Sequence, residues 1–360
     1  MILGIIGSGQ LGYMMINTMR KYPMEFYVID KNKGPAGYIA DKFFYLNDYK
    51  NFVDSCDYVT FEFEQVDETV LKYAEEKNKL RPNIKTVDLK KDRLLEKDFL
   101  RRNNLPVAEY KISDSYKEAF EIAKSFGKGV IKSRHGGYDG KNQYFIDEGS
   151  RYIEEDNIPY VIEKFIDYDY EASIIAVRNE NKNFEFFDPS FNYNKNGILI
   201  YNIAPLKDYN INNKMIDIAK KLMDKLKYIG VMGIEFYVVN DSVIINEYSP
   251  RVHNTGHHTL LGSSVSQFEE HVRSVMNLNI IKPVLFKPSG ILNIIGTDIN
   301  GKVNEIIDDK TDIYWYHKSE TIRKRKMGHI NIYGDSYDDV SERINKLINT
   351  VYENGLNNYI

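Results

Sequence analysis

A single cysteine, Cys56, occurs in the sequence, so no disulfide can form within the chain, and this scarcity is typical of proteins from reducing compartments. No apolar run approaches the roughly 18 residues that a membrane-spanning helix needs. A basic excess is also missing, because 48 lysines and arginines face 52 aspartates and glutamates, which gives a net charge of −4. We therefore expect no nucleic-acid partner and no membrane partner, and we predict a cytoplasmic protein.

The composition is otherwise that of a globular enzyme, with 42% hydrophobic and 28% charged residues over 360 positions. This length favours two or three domains. Residues 1–91 alternate strand and helix patterns from Ile2–Ile6 onward, which predicts a parallel, doubly wound sheet of the dinucleotide-binding type. Residues 92–277 mix helices with antiparallel-type strands, and residues 278–360 hold short strands and a closing helix. The expected fold class is α/β combined with α+β.

A glycine loop after the first predicted strand, Gly7 to Gly12, fits the dinucleotide fingerprint G-x-G-x-x-G. Asp30 ends the second predicted strand, where an acid would accept a ribose hydroxyl. Alone, this pattern favours a nicotinamide-dependent dehydrogenase. Two other interpretations stay open. In the first, the glycines only allow the helix to pack on the sheet. In the second, the helix N-terminus binds another phosphate or a small substrate.

A second glycine-rich loop follows a short apolar strand that delivers Lys132, within Gly-Val-Ile-Lys-Ser-Arg-His-Gly-Gly-Tyr-Asp-Gly-Lys-Asn-Gln over 129–143. The lysine can neutralise a nucleotide phosphate, and the glycines let backbone N–H groups approach phosphate oxygens. No G-x-x-x-x-G-K-[ST] sequence occurs, which excludes a P-loop. The alternative is an ordinary glycine-rich hairpin. The strand-like segment 161–166 suits an adenine slot, and Glu171 is available for ribose hydroxyls.

Two carboxylates, Glu235 and Glu247, flank a predicted hairpin with a turn at 240–242. If the turn holds three residues, 239 pairs with 243 and 235 lies opposite 247, on a face shared with Tyr237, Val239, Val243 and Ile245. Like charges directly opposite are destabilising, so this register predicts a cation between them, of which Mg²⁺ is the natural choice. A two-residue turn would place the two acids on opposite faces. A polar loop, 251–257, follows.

Taken together, these motifs resemble the N5-carboxyaminoimidazole ribonucleotide synthase family, which consists of ATP-grasp ligases of purine biosynthesis. The resemblance spans residues 3 to about 335, and Pro-Arg-Val-His-Asn-x-Gly-His followed by Ser-Gln-Phe-Glu is its most specific part. It implies an ATP-grasp domain at 92–277, between a dinucleotide-like domain at 1–91 and a small C-terminal domain at 278–360, and it suggests a homodimer. The implied reaction joins bicarbonate to 5-aminoimidazole ribonucleotide through carboxyphosphate, using ATP and Mg²⁺ (or Mn²⁺).

The resemblance also implies roles for individual residues. The expected metal ligands are Glu235 and Glu247. The residues expected to face bicarbonate and the reacting groups are Arg251, His253, Asn254 and His257. The expected ATP contacts are Arg93, Lys132, Gly137, Tyr138, Asp139, Gly140, Lys141, Asn142, Gln143, Glu163, Lys164, Phe165, Ile166, Glu171, Asn194, Asn246 and Glu247. The expected ribonucleotide contacts are Gln10, Leu11, Glu62, Tyr138, Arg251, Lys318, Arg325 and Lys326.

The chain departs from the family pattern at a few positions. Asn194 stands where relatives often carry histidine, and His258 stands where tryptophan is common. The loop between Lys318 and Arg325 looks one residue longer than usual, so Arg323 or Lys324 is an alternative phosphate contact, and a solvated basic face is another interpretation. Two further alternatives remain open for the function: a different ATP-grasp ligase, either formate-using or similar to biotin carboxylase, and the dehydrogenase described above.

Overall fold

The computed structural model describes residues 1–136, 143–318, 320–353 and 355–360. These residues form three sheets flanked by helices. Within them, no helix combines the length and the apolar character that a bilayer crossing requires.

The N-terminal part forms a parallel sheet in the order β3-β2-β1-β4 with helices on both faces. Because both faces are covered, its strands are nearly continuous apolar runs. The parallel sheet predicted from the alternation is therefore confirmed. Its elements are β1 (Ile2–Ile6), α1 (Gln10–Met19), β2 (Glu25–Asp30), α2 (Pro35–Ile39), β3 (Lys42–Tyr45), α3 (Tyr49–Ser55), β4 (Tyr58–Phe61), α4 (Glu68–Glu76) and α5 (Ile84–Lys91).

The middle of the chain contributes a small antiparallel sheet, β5-β8-β6-β7, and six of the nine described strands of a large antiparallel sheet. Helix α7 covers the small sheet and α8 covers the large one, so that each has a core of its own. The elements are α6 (Arg93–Arg102), β5 (Tyr110–Ser113), α7 (Tyr116–Ser125), β6 (Gly129–Ser133), β7 (Gln143–Ile146), β8 (Tyr160–Lys164), β9 (Tyr170–Arg178), β10 (Phe184–Phe186), β11 (Ser190–Lys195), β12 (Ile198–Ala204), α8 (Tyr209–Leu226), β13 (Gly230–Val239), β14 (Ser242–Ser249), α9 (Thr259–Gly262) and α10 (Gln267–Val275).

The C-terminal strands extend the large sheet, which runs β14-β13-β9-β11-β12-β15-β17-β16, with β10 on the side of β9. Strand β15 pairs directly with β12, so one sheet crosses the predicted boundary at 277/278. The predicted domain limits remain predictions. The elements are β15 (Ser289–Ile295), α11 (Val303–Ile306), β16 (Thr311–Trp315), β17 (Lys326–Tyr333) and α12 (Tyr337–Val351).

Helices α1 and α10 fix the glycine loop against the middle of the chain. Their apolar faces share one core, in which Met15 and Phe268 are buried. At the edge of this contact, Lys21 and Tyr22 bind the carboxylate of Glu269 at 2.6 and 2.7 Å. The glycine loop at the start of α1 therefore has a fixed position relative to the large sheet.

One buried acid of α10 predicts a pH-dependent stability. The side chain of Glu270 accepts a hydrogen bond from the backbone N–H of Ile281, and burial raises its pKa to about 8. The folded state therefore keeps a proton that the unfolded chain releases from about pH 4.5 upward, and this group lowers the stability as the pH rises to about 8. Glu270→Gln should raise Tm by several degrees at pH 8 and have little effect at pH 5, as measured by calorimetry.

The surface variant Glu342→Gln serves as the control, because Glu342 is exposed on α12. An equal change in Tm for Glu270→Gln at both pH values would contradict a raised pKa for Glu270.

Candidate active site

The carboxylates Glu235 and Glu247 face each other across the β13–β14 hairpin, as the sequence predicts, although by a different route. The turn holds two residues, because Val239 pairs with Ser242 and not with 243. A β-bulge then inserts Asn246 as an extra residue in β14, so Glu235 pairs with Glu247. Two details of the predicted register are therefore wrong, namely the turn length and the face of Val243 and Ile245, which lie in the core under α8.

Glu235 lies in a confined position beside His253. The Nε2 atom of His253 lies 3.3 Å from Glu235 Oε1. This approach requires Gly233, because a Cβ there would lie 2.4 Å from the Cβ of His253. Burial raises the pKa of Glu235, and the carboxylates of Glu247 and Glu171 raise it further. Burial also lowers the pKa of His253 to about 3, so its imidazole is neutral.

Glu247 is the more open of the two carboxylates, with 42% of its side chain exposed. The ammonium of Lys90, at the end of α5, lies 3.3 Å from its Oε2 atom and holds its pKa below the usual range. Lys90 was not among the residues predicted from the sequence. Asn246, at the bulge, lies beside this carboxylate in the chain and is half-buried.

Arg251 is held in place by Glu64, an acid from the loop after β4. The Nε atom of Arg251 donates to Glu64 Oε2 at 2.9 Å, and its Nη1 atom donates to the Val252 carbonyl. Glu64 Oε1 is buried and has no hydrogen-bond partner among the described residues. Both amide atoms of Asn254, three residues after Arg251, are likewise buried without a hydrogen-bond partner among the described residues. Buried polar atoms rarely lack partners, so these atoms indicate a place where a polar ligand binds.

His257 lies deeper than predicted. The residue is 1% exposed, and its ring packs at a tilt against the rings of Phe268 and His329. Its Nδ1 atom lies 2.9 Å from Gln267 Nε2, and the same amide group donates to the carbonyl of His253. This environment is at odds with direct contact to substrate. It suits a residue that supports the loop carrying His253.

Lys132 and Glu163 lie side by side on the face of the small sheet that α7 does not cover. Their side chains form an ion pair at 3.0 Å, and Lys97 of α6 binds the other oxygen of Glu163 at 3.0 Å. All three are buried. Burial opposes the charge of Glu163, but the two ammonium groups outweigh it and lower its pKa to about 2. The carboxylate of Glu163 is therefore held by the two lysines, and its backbone lies inside the sheet, between Tyr110 of β5 and Val130 of β6. Lys97 was not predicted.

The other residues expected around ATP line the same region. Arg93 donates from Nε to the carbonyl of Ser133, at the end of the strand that carries Lys132. Glu171 accepts hydrogen bonds from Tyr168 and from Asn194, at 2.9 and 2.5 Å, and it lies opposite Tyr237 on the face that carries Glu235. Of the remaining positions, Gln143 begins β7 and Lys164 ends β8. Phe165 and Ile166 come directly after β8, and both are half-buried. The expected contacts Gly137, Tyr138, Asp139, Gly140, Lys141 and Asn142 lie outside the described residues.

The glycine loop of the dinucleotide fingerprint is already filled by the protein itself. The two carboxylate oxygens of Glu62 accept hydrogen bonds from the backbone N–H groups of Gly9 and Gly12, and Asp30 accepts one from Ser8. These N–H groups are the ones that bind pyrophosphate in dinucleotide-binding proteins. A dinucleotide phosphate is therefore excluded from this loop, and Glu62 has a structural task besides any contact with substrate.

The remaining ribonucleotide candidates fall into two groups. Gln10 and Leu11 open α1 and are both half-buried. At the other end of the chain, Lys318 Nζ donates to the carbonyl of Lys326 at 2.6 Å, which joins the two basic residues across their loop. The charge of Lys326 acts on both Glu235 and His253, whereas Arg323 and Lys324 are exposed. Arg325 is half-buried, and its guanidinium donates to the carbonyl of Glu320.

Three protein-family models match the chain in succession. They describe a ribonucleotide synthetase preATP-grasp domain at residues 1–91, an ATP-grasp domain at residues 98–268, and a phosphoribosylaminoimidazole carboxylase C-terminal domain at residues 289–343.

Full-length relatives point in the same direction. The chain is 44% identical to the N5-carboxyaminoimidazole ribonucleotide synthase of Saccharolobus solfataricus, over 98% of this chain and 97% of that protein. It is 38% identical to the enzyme of the same name from Aquifex aeolicus, over 96% and 95%. A solved structure described as an ADP complex of N5-carboxyaminoimidazole ribonucleotide synthetase superposes with a TM-score of 0.89 at 29% identity, covering 96% of each chain.

Proposed function

This chain belongs to the N5-carboxyaminoimidazole ribonucleotide synthase family of ATP-grasp enzymes, and we propose that it carboxylates 5-aminoimidazole ribonucleotide with bicarbonate and ATP. The family and the ATP-grasp fold predicted from the motifs are confirmed. The chain is thus an ATP-dependent ligase of purine biosynthesis, and neither the dehydrogenase nor another ATP-grasp ligase is favoured.

The observation that carries the proposal is the convergence of complementary groups at one place. Glu235 and Glu247 face each other, and His253 lies 3.3 Å from Glu235. The fixed guanidinium of Arg251 acts on that imidazole, and Asn254, whose amide has no partner among the described residues, follows His253 in the chain. The carboxylates suit a metal–phosphate complex, whereas the guanidinium and amide suit a small planar oxyanion such as bicarbonate.

The chemistry explains why such a site is needed. Bicarbonate is a poor electrophile, because hydroxide would have to leave. Transfer of the γ-phosphoryl group of ATP to a bicarbonate oxygen gives carboxyphosphate, from which phosphate leaves readily. The exocyclic amine of the ribonucleotide then attacks the activated carboxyl carbon and loses a proton. The task of the protein is to position these groups, stabilise developing negative charge and exclude water.

Mg²⁺, or Mn²⁺ in its place, fits the carboxylate pair. Both ligands are hard oxygen donors, which these ions prefer. No group of three or more His, Cys, Asp and Glu side chains suited to a metal occurs in the described part of the chain, and this agrees with an ion whose other ligands are phosphate oxygens and water. We assign Glu235 and Glu247 as its ligands, with Asn246 beside them. Such an ion would neutralise charge on the β- and γ-phosphates.

The chain's own groups would hold the two substrates on either side of this pair. Lys132 and Arg93 supply positive charge for the ATP phosphates, and Glu171 supplies acceptors for ribose hydroxyls. Arg251, His253 and Asn254 would orient bicarbonate, and the imidazole of His253, kept neutral by its lowered pKa, would act as a hydrogen-bond partner. The ribonucleotide would lie between the glycine loop and the basic loop of 318–326. A homodimer and a cytoplasmic location remain predictions from the family and the composition.

Dependence on the carboxyl donor tests the proposal. Phosphate release from ATP should require bicarbonate and increase when 5-aminoimidazole ribonucleotide is added, and formate should not replace bicarbonate. Formate-dependent turnover, or turnover that ignores the ribonucleotide, would overturn the assignment.

The basic loop gives a second prediction with a matched pair of variants. Arg325→Ala should raise the KM for the ribonucleotide by about tenfold or more, because a charge-assisted contact to a phosphate dianion contributes roughly 1.5–3 kcal/mol. Lys324→Ala, one residue away but exposed, should leave that KM unchanged. Steady-state kinetics with each substrate varied in turn measures both values, and the KM for ATP should hardly move. An unchanged KM for the ribonucleotide in Arg325→Ala would place the 5′-phosphate elsewhere.

A further inference from the structure

Lys90 is a buried cation that touches Glu247, one member of the carboxylate pair, and has no role in the mechanism described so far. It lies at the end of α5, and its ammonium is 3.1 Å from Glu96 and 3.3 Å from Glu247. Its side chain is 13% exposed, and that of Glu96 is 5% exposed. The ring of Tyr248 lies beneath the ammonium, with its centroid at 5.5 Å. Lys90 is therefore fixed from three sides.

The ammonium of Lys90 is paired with two carboxylates at once, that of Glu96 at 3.1 Å and that of Glu247 at 3.3 Å. Two facing carboxylates would repel each other strongly without a counter-ion. In the protein alone, Lys90 provides that counter-ion.

We propose that Lys90 is the resident counter-cation of the Glu235–Glu247 pair, which holds Glu247 in place without metal and weakens the affinity of the pair for a divalent ion. This inference rests on the metal assignment of the proposed function. The ammonium occupies one oxygen of Glu247, and a divalent ion on the same carboxylate experiences its repulsion. An enzyme with this arrangement keeps a stable site between turnovers and releases metal with the nucleotide product more readily.

The test uses Mn²⁺ with saturating ADP and measures free Mn²⁺ by electron paramagnetic resonance. Lys90→Met alone would leave the buried carboxylate of Glu96 without its partner, so the variant is made together with Glu96→Gln. The matched control is Glu96→Gln alone, which keeps the ammonium on Glu247. Relative to that control, the double variant should bind Mn²⁺ about tenfold more tightly, since one repelling charge is removed at short range. Equal or weaker binding would overturn the proposal.

Thermal unfolding gives a second measurement that does not depend on activity. Without metal, the double variant should have a lower Tm than Glu96→Gln, and Mn²⁺ with ADP should raise its Tm more than that of the control. A merely structural lysine would lower Tm by the same amount with and without metal, which would also overturn the proposal. Lys90→Arg, which keeps the charge, should resemble the wild type. A separate variant tests the metal assignment itself. If Glu247 is not a metal ligand, Glu247→Gln in the otherwise wild-type protein will leave Mn²⁺ binding unchanged.

Discussion

Glu247→Gln is expected to reduce ligase turnover by about a thousandfold while the protein stays folded. A neutral carboxamide is a poor ligand for a hard divalent ion, and metal-ion stabilisation of phosphoryl-transfer charge is worth several kcal/mol. Glu247 is also the more open member of the pair, at 42% side-chain exposure, so the substitution leaves the core of the hairpin intact. Turnover at saturating substrates, over a range of Mg²⁺ concentrations, measures the effect.

The control is Asp241→Asn, in the two-residue turn of the same hairpin. Asp241 is exposed and far along the strands from the bulge, so its loss of charge should not change turnover. Wild-type turnover by Glu247→Gln at low Mg²⁺ would contradict the assignment of the carboxylate pair to the metal.

Arg251→Lys is expected to lower kcat/KM for bicarbonate by about a hundredfold and to leave ATP binding unchanged. The guanidinium binds Glu64 through Nε and still presents its Nη2 group, which makes no hydrogen bond to any described residue. An ammonium has neither the reach nor the planar geometry to do both. An effect of about 2.7 kcal/mol is within the range of a charge-assisted contact made in the transition state.

Glu64→Gln provides a graded comparison for this second prediction. The carboxamide keeps an acceptor for Arg251 but loses the charge that fixes it, so the loss in kcat/KM for bicarbonate should be smaller than for Arg251→Lys. If Arg251→Lys changed the KM for ATP and spared bicarbonate, the guanidinium would belong to the nucleotide site instead.

The hairpin shows how far the sequence predicts this site. The alternation of apolar and polar residues in β13 and β14, with two acids twelve positions apart, was sufficient to predict that Glu235 faces Glu247, and the two residues are paired in the structure. The turn length was predicted wrongly, and the bulge at Asn246 compensates for it. A bulge has no clear signature in a single sequence, because it is fixed by the requirement that both strands fit their neighbours.

The glycine loop shows where a local pattern misleads. Gly7 to Gly12 fits the dinucleotide fingerprint, and the loop does begin a helix after a parallel strand. What decides its chemistry is Glu62, some fifty residues away, whose carboxylate takes the loop's N–H groups. No periodicity connects the two segments, so only the folded chain reveals that the anion site is filled.

Lys90 and His257 are two residues whose burial could not be predicted from the sequence. Lys90 sits in a lysine-rich stretch that looks like a solvated helix end, yet it is buried against Glu247, 157 positions away. His257 lies in the most informative motif of the sequence, yet the sheet and α10 bury its ring. Charge and motif membership predict neither burial nor orientation, which depend on contacts between distant segments.

The transfer of oxygen from bicarbonate to phosphate shows whether the enzyme forms carboxyphosphate. The enzyme would be incubated with ATP, 5-aminoimidazole ribonucleotide and ¹⁸O-labelled bicarbonate, and the isotopic content of the released phosphate would be measured by ³¹P nuclear magnetic resonance. Formation of carboxyphosphate predicts one ¹⁸O atom in each phosphate released. Phosphate that carries no label from bicarbonate would contradict the account.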